Sequence, residues 1–106
     1  MSYEDQFVRY EPSVLVPDMR LMVLGMLRDA GFSVLVADKV IQCESNWNPN
    51  SVGDHGESLG LWQIHQPSHD TGLVAFDPYE ATKYAIKLLQ SERSWRHWSC
   101  YKNIYE

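Results

Sequence analysis

From Asn46 to Gly60 the chain is dense in Asn, Pro, Gly, Ser and Asp, and no helix can run through such a stretch. This break confines helix to the segments on either side. Between them it leaves room for at most a short β pairing around the turn-forming residues 53–56.

Upstream of the break two helices are predicted. Pro17 and Asp18 suit a first turn, where a missing N–H and a negative charge are tolerated. Leu21, Val23, Leu24 and Leu27 follow at near-helical spacing, and Gly31 is a stop, giving a helix over 17–30. Residues 1–16 have no helical period and are punctuated by Pro12 and Pro17, so they read as an N-terminal arm before a domain over 17–106. Ser33 then caps a second helix whose apolar face is Val34, Ala37, Val40 and Ile41. Glu44 lies four residues beyond Val40 and three beyond Ile41, and so continues that face.

Downstream, Leu61, Trp62 and Ile64 restart an apolar run that breaks near Pro67. Asp77-Pro78 opens a third helix with Tyr84, Ala85, Leu88 and Leu89 on its face. The aromatic tail from Trp95 to Tyr105 is expected to pack back on the domain.

Bulk properties remove several classes of function. A chain of 106 residues, 44% hydrophobic and 22% charged, has the composition of a soluble globular protein with one modest core. The net charge of −5 and the scattered cations give no basic patch, so nucleic acid is not an expected partner. The polar, acidic start lacks the pattern of a secretory leader, and the longest apolar stretch, 21–27, is too short to insert in a membrane. A monomer is expected. His65 and His69 have helical ligand spacing, but Pro67 interrupts them and no third ligand follows, so no metal or other cofactor is expected. Cys43 and Cys100 alone leave the redox compartment open.

Glu44 is the informative oddity. By position it is either a helix-end glutamate pointing to solvent or a desolvated acid bordering a cleft. Only the second could deliver a proton near neutral pH.

The surrounding residues favour the second reading. Glu44-Ser45-Asn46-Trp47-Asn48-Pro49-Asn50 resembles the E-S-x-aromatic-x-P segment of soluble lytic transglycosylases. Gly53-Asp54-His55-Gly56-Glu57-Ser58-Leu59-Gly60-Leu61-Trp62-Gln63-Ile64 resembles the G-D-x-G-x-S-x-G-L-x-Q-I segment of the same lysozyme-like superfamily. The two blocks stand in order at the family's separation, within a resemblance covering roughly 33–100.

The resemblance implies an α+β, mostly helical, lysozyme-like fold, with a small glycine-rich β-hairpin beside the catalytic helix. It implies a peptidoglycan glycosidase, acting on the β-1,4 bond between N-acetylmuramic acid and N-acetylglucosamine at the bacterial cell wall, with Glu44 as general acid. Without a leader, delivery would be by phage or by secretion followed by trimming. Asp54 is the preferred second carboxylate, Gln63 and Ser58 match motif positions near the substrate, and Trp62 and Trp47 are candidates for stacking on sugar rings. Tyr84 is a candidate to hydrogen-bond substrate or Glu44. Each of these has a structural alternative: a turn former, an amide holding the hairpin, or a core aromatic.

Resuscitation-promoting factors, a lysozyme-like group, also carry a cysteine directly before the catalytic glutamate and another after a W-x-x-W-x-x-C-like segment. Trp95-Arg96-His97-Trp98-Ser99-Cys100 is similar with one residue less, which implies a Cys43–Cys100 disulfide. The transglycosylase pattern also places an asparagine soon after a D-P pair. Here Asp77-Pro78-Tyr79-Glu80 is followed by Ala81, a departure that leans toward plain hydrolysis. The alternative function is an inactive lysozyme-fold module that binds peptidoglycan or serves a structural role.

Overall fold

A computed structural model describes residues 12–106, with side chains described from Met19 onward. Helix α1 spans Pro12–Asp29 and α2 spans Val34–Ser45. A three-stranded antiparallel sheet follows, with β1 at Val52–Gly53, β2 at Ser58–Leu59 and β3 at Ile64–His65. Helix α3 spans Pro78–Glu92 and α4 spans Ser99–Tyr105. This is the mostly helical α+β plan expected from the sequence.

Helix α1 starts five residues earlier than the sequence suggested. Pro12 takes the first helical position, where its missing N–H costs nothing, and Pro17 is accommodated inside the helix at the loss of one ladder bond. Residues 12–16 of the expected arm are therefore helical, while 1–11 lie outside the described residues. Leu21, expected on the buried face, is 71% exposed; Val23 and Leu27 carry the packing of α1 instead. The sequence pattern allowed either choice, because Leu21 and Val23 point to different sides of one turn.

Helix α2 forms as its signals dictate, except that Val34, expected on its apolar face, is exposed at the first turn. The Ser33 side chain accepts a hydrogen bond from the Val36 N–H at 3.1 Å, capping one orphan donor. Ala37, Val40 and Ile41 are fully buried, and α1 packs against both α2 and α3. Asn46 and then Trp47 adopt left-handed backbone, with φ of 55° and 60°, and turn the chain sharply out of the helix just past Glu44.

The sheet is minimal but fixed in register. Val52 faces Leu59, and Leu59 faces Ile64. The sequence suggested only a weak hairpin, and β3 was not expected. Two features hold β3 in place: Ile64 is buried in the core, and the Gln66 side chain donates to the Ile64 carbonyl at 3.0 Å. Helix α3 begins at an Asp77 cap whose carboxylate accepts from the Glu80 N–H at 2.9 Å. Its Ala81, Ala85 and Leu89 complete the core.

Trp62 is the hinge of the packing. It is fully buried, its Nε1 donates to Thr82 Oγ1 of α3 at 3.0 Å, and its carbonyl accepts from Trp98 Nε1 at 2.9 Å. Trp98 is thereby fastened to the sheet side of the core, and the aromatic tail packs back as expected. Its last segment closes as α4 against α2.

Candidate active site

A cleft of about 270 Å³ opens between the end of α2, the sheet and the tail. It is lined by Glu44, Asp54, Ser58, Gln63, His65, Ser68, His97, Trp98 and Ser99. Four sequence-predicted residues, Glu44, Asp54, Ser58 and Gln63, therefore meet in one cleft despite coming from separate elements.

Glu44 is brought there by α2. Its carboxylate Oε2 accepts a hydrogen bond from the Cys100 backbone N–H at 3.3 Å. Burial holds the Glu44 carboxyl above its ordinary range, and the negative charge of Asp54 adds to that push; the Cys100 N–H opposes it by favouring the ionised form. The net direction is upward, toward an acid that keeps its proton at higher pH than a free glutamate.

Asp54 stands at the tip of the β1–β2 hairpin, where it and His55 adopt left-handed backbone with φ of 51° and 57°. Ser58, buried at the start of β2, donates its hydroxyl to Asp54 Oδ2 and so fixes the carboxylate's aim. This hydroxyl is the reason a serine suits a buried position there: its polar atom has a charged partner. Gln63 lines the cleft too, but its Nε2 donates to the carbonyls of Ser51 at 3.2 Å and Gly60 at 2.9 Å. Both donors are spent on the hairpin, leaving its Oε1 as the part with spare capacity.

Two expected sugar contacts are corrected by their surroundings. Trp62 is wholly buried in the core and has no ring face to offer a sugar. Trp47 is 8% exposed, its Nε1 donates to Asp38 Oδ1 at 2.9 Å, and the Arg20 guanidinium lies over its ring at 5.0 Å. Tyr84 engages neither the cleft nor Glu44: its hydroxyl pairs with His69 Nδ1 at 2.7 Å. Trp62 sits in an apolar run and Trp47 in a polar turn, and the core buries both.

Cys43 and Cys100 form a disulfide with Cα atoms 6.0 Å apart, joining α2 to the first turn of α4. The link sits one residue before Glu44, and the N–H that reaches Glu44 belongs to the other half-cystine. His65 and His69 diverge: His65 faces the cleft with its Nδ1 3.2 Å from Ser68 Oγ, whereas His69 turns to Tyr84. Among the described residues, no three His, Cys, Asp or Glu side chains converge as a metal site. The cleft residues that the sequence did not mark as site residues are Ser68, His97, Trp98 and Ser99. All but Ser68 belong to the Trp95–Cys100 segment, which the sequence marked for its cysteine and not for the cleft.

No helix among the described residues is long and apolar enough to cross a membrane. Comparison with curated proteins and with solved structures returned no match. Comparison with family models matched residues 31–98 to the transglycosylase SLT domain, a span that runs from Gly31, just before the Ser33 cap of α2, to Trp98 and holds most of the cleft. The matched span exceeds half of the chain and carries its acid, its hairpin and its core tryptophan: the chain belongs to the transglycosylase SLT domain family, whose fold is lysozyme-like and whose activity is directed at peptidoglycan.

Proposed function

We propose that this protein is a peptidoglycan glycosidase that cuts the β-1,4 bond between N-acetylmuramic acid and N-acetylglucosamine, with Glu44 as general acid. The observation that carries the reading is the Glu44 carboxyl, half-buried in a polar cleft and held above its ordinary range chiefly by desolvation. A protonated carboxyl there can hand its proton to the leaving glycosidic oxygen as the bond breaks. Once ionised, it can take a proton from the nucleophile that resolves the oxocarbenium-like state. Burying an acid costs stability, and proton delivery is a return that a passive binding module would not need.

Asp54 is the second carboxylate of this reading. Held by Ser58 in the same cleft, it can stabilise developing positive charge or orient water. A second acid favours water as the attacking group over the sugar's own C6 hydroxyl, and the Ala81 found where the transglycosylase pattern has asparagine points the same way. The product is then a hydrated reducing end. Delivery to the cell wall by a phage particle or by secretion is compatible with this chemistry, and a monomer suffices for it.

The test is digestion of purified peptidoglycan by the wild type and Glu44→Gln, with mass spectrometry of the released ends. Cleavage by the wild type alone, giving hydrated muramoyl ends, supports the full reading. Anhydro ends would replace hydrolysis with transglycosylation, and equal digestion by the variant would remove Glu44 from the mechanism.

A further inference from the structure

Among the cleft side chains that the glycosidase reading leaves without a task, His97 is the one held most firmly by its neighbours. It lies in the turn between α3 and α4, and it lines the same cleft as Glu44 and Asp54. Its ring is clamped edge-on by His69, with centroids 4.8 Å apart, and by Trp98 at 4.9 Å. Each clamp is anchored in turn. His69 pairs with the Tyr84 hydroxyl at 2.7 Å, and Trp98 donates to the Trp62 carbonyl at 2.9 Å. The His97 side chain is 22% exposed, so it is accessible while its ring is held in place.

Its two nitrogens are in different settings. Nδ1 lies 3.9 Å from Glu92 Oε2, and a nearby carboxylate favours the tautomer with the proton on Nδ1. Nε2 then carries a lone pair, and it has no hydrogen-bond partner among the described residues. A ring nitrogen clamped in place beside the cleft's carboxylates, hydroxyls, the Gln63 amide and His65 is a specific piece of recognition chemistry. Sugar hydroxyls are the donors it fits.

We propose that His97 is a substrate-contacting residue whose Nε2 accepts a hydrogen bond from a glycan hydroxyl in the cleft. The proposal deepens the glycosidase reading and rests on it. His69, from the loop after β3, and Glu92 of α3 face His97 directly. Glu44 of α2, Asp54 of the hairpin and His65 of β3 share its cleft. Burial, and then the neighbouring His69, push the imidazolium below the ordinary histidine range, against the pull of Glu92. The acceptor is therefore present at neutral pH and is lost only as pH falls through that lowered value, when Nε2 gains a proton.

The experiment compares wild type, His97→Ala, His97→Gln and His97→Asn on soluble glycan strands stripped of stem peptides, across pH. Alanine is expected to raise KM about tenfold at neutral pH, the effect of one lost hydrogen bond, with kcat changed by less than about twofold. Glutamine places an oxygen near the Nε2 position. It should keep KM within about threefold of wild type and abolish the rise of KM at acid pH. Asparagine reaches only as far as Nδ1 and should behave as alanine does. An unchanged KM in His97→Ala, rescue by asparagine as good as by glutamine, or a persisting acid rise in His97→Gln overturns the contact. Binding of the same strands to Glu44→Gln protein, with and without His97→Ala, separates the two readings. Weaker binding in the double variant from a wild type that cuts nothing sinks the glycosidase and keeps the contact. Unaltered binding beside an active wild type does the reverse.

Discussion

The backbone N–H of Cys100 donates to Oε2 of Glu44 at 3.3 Å, across 56 residues of sequence. The acid therefore does not stand alone at the end of its helix: the tail supplies a donor that steadies it. The bond opposes the effect of burial, since it favours the ionised carboxylate, yet burial and Asp54 leave the net direction upward. A disulfide one residue away holds donor and acceptor in register. Acid strength, tail position and cross-link are thus one arrangement, and each can be perturbed separately.

Removing the acid is the most direct perturbation. Glu44→Gln keeps the shape and most hydrogen-bonding capacity of the side chain but cannot deliver a proton. Turnover on peptidoglycan is expected to fall by about 10²–10⁴-fold, the usual contribution of a positioned general acid. Affinity for glycan strands should persist. A turnover loss of less than about tenfold would place the proton donor elsewhere.

The raised carboxyl also sets two pH dependences. With Glu44 as the proposed general acid the protonated form is the active one, so kcat/KM is expected to fall as pH rises through the Glu44 value. Asp54→Asn removes a negative charge that raises that value, so the falling limb should move to lower pH even as the rate drops. For stability, the folded state holds the Glu44 proton more tightly than the unfolded chain does. Its stabilising contribution is complete below the ordinary value of 4.5 and is lost as pH climbs through the raised one. Glu44→Gln should therefore melt higher than wild type at pH 7 and gain nothing at pH 3. A gain that is the same at both pH values would contradict the burial argument.

The cross-link yields a third prediction. Cys43 and Cys100 are 57 apart in sequence, and a loop of that length contributes about 4 kcal/mol in the chain-entropy account. Reductant, or Cys43→Ser, should lower the urea midpoint accordingly. Freeing the tail also withdraws the Cys100 N–H from Glu44, and loss of that donor raises the acid's value further. The falling limb of the activity profile should then shift to higher pH. A stability loss without that shift would mean that the tail keeps its place without the bridge.

Much of this site was legible before any coordinates, because its determinants are local. The Ser33 cap, the apolar face of α2 and the turn formers after Ser45 fix where Glu44 emerges. The motif spacing brings Asp54, Ser58 and Gln63 to one small sheet. Long-range competition decided the rest. Trp62 has the makings of a sugar platform, but Thr82 of α3 satisfies its indole N–H, and an indole so satisfied gains more from full burial than from exposure. Tyr84 was claimed by His69, a partner fifteen residues away that no periodicity reveals. His97 reached the cleft because Trp98 is pinned to Trp62, a contact between residues 36 apart. Leu21 and Val23 competed for one helical face, and only the partner helices could choose between them.

Gly60 offers the sharpest test of the packing behind the cleft. Its φ is 82°, its carbonyl accepts from both the backbone N–H of Gln63 at 3.1 Å and Nε2 of the same residue at 2.9 Å, and its N–H donates to Ser51 at 2.8 Å. A Cβ there would overlap the Ala75 carbonyl, which belongs to backbone and cannot swing aside. Gly56 has a similar φ of 94°, yet a Cβ on it meets nothing within 4 Å. Alanine at Gly56 should cost only the left-handed backbone penalty, about 1–2 kcal/mol. Alanine at Gly60 adds the overlap, for a total above about 3 kcal/mol, and it displaces the sheet whose two connections carry Asp54 and Gln63. Paired denaturation curves read the difference. If the two substitutions cost the same, the close approach of the hairpin to Ala75 is not what holds this wall of the cleft.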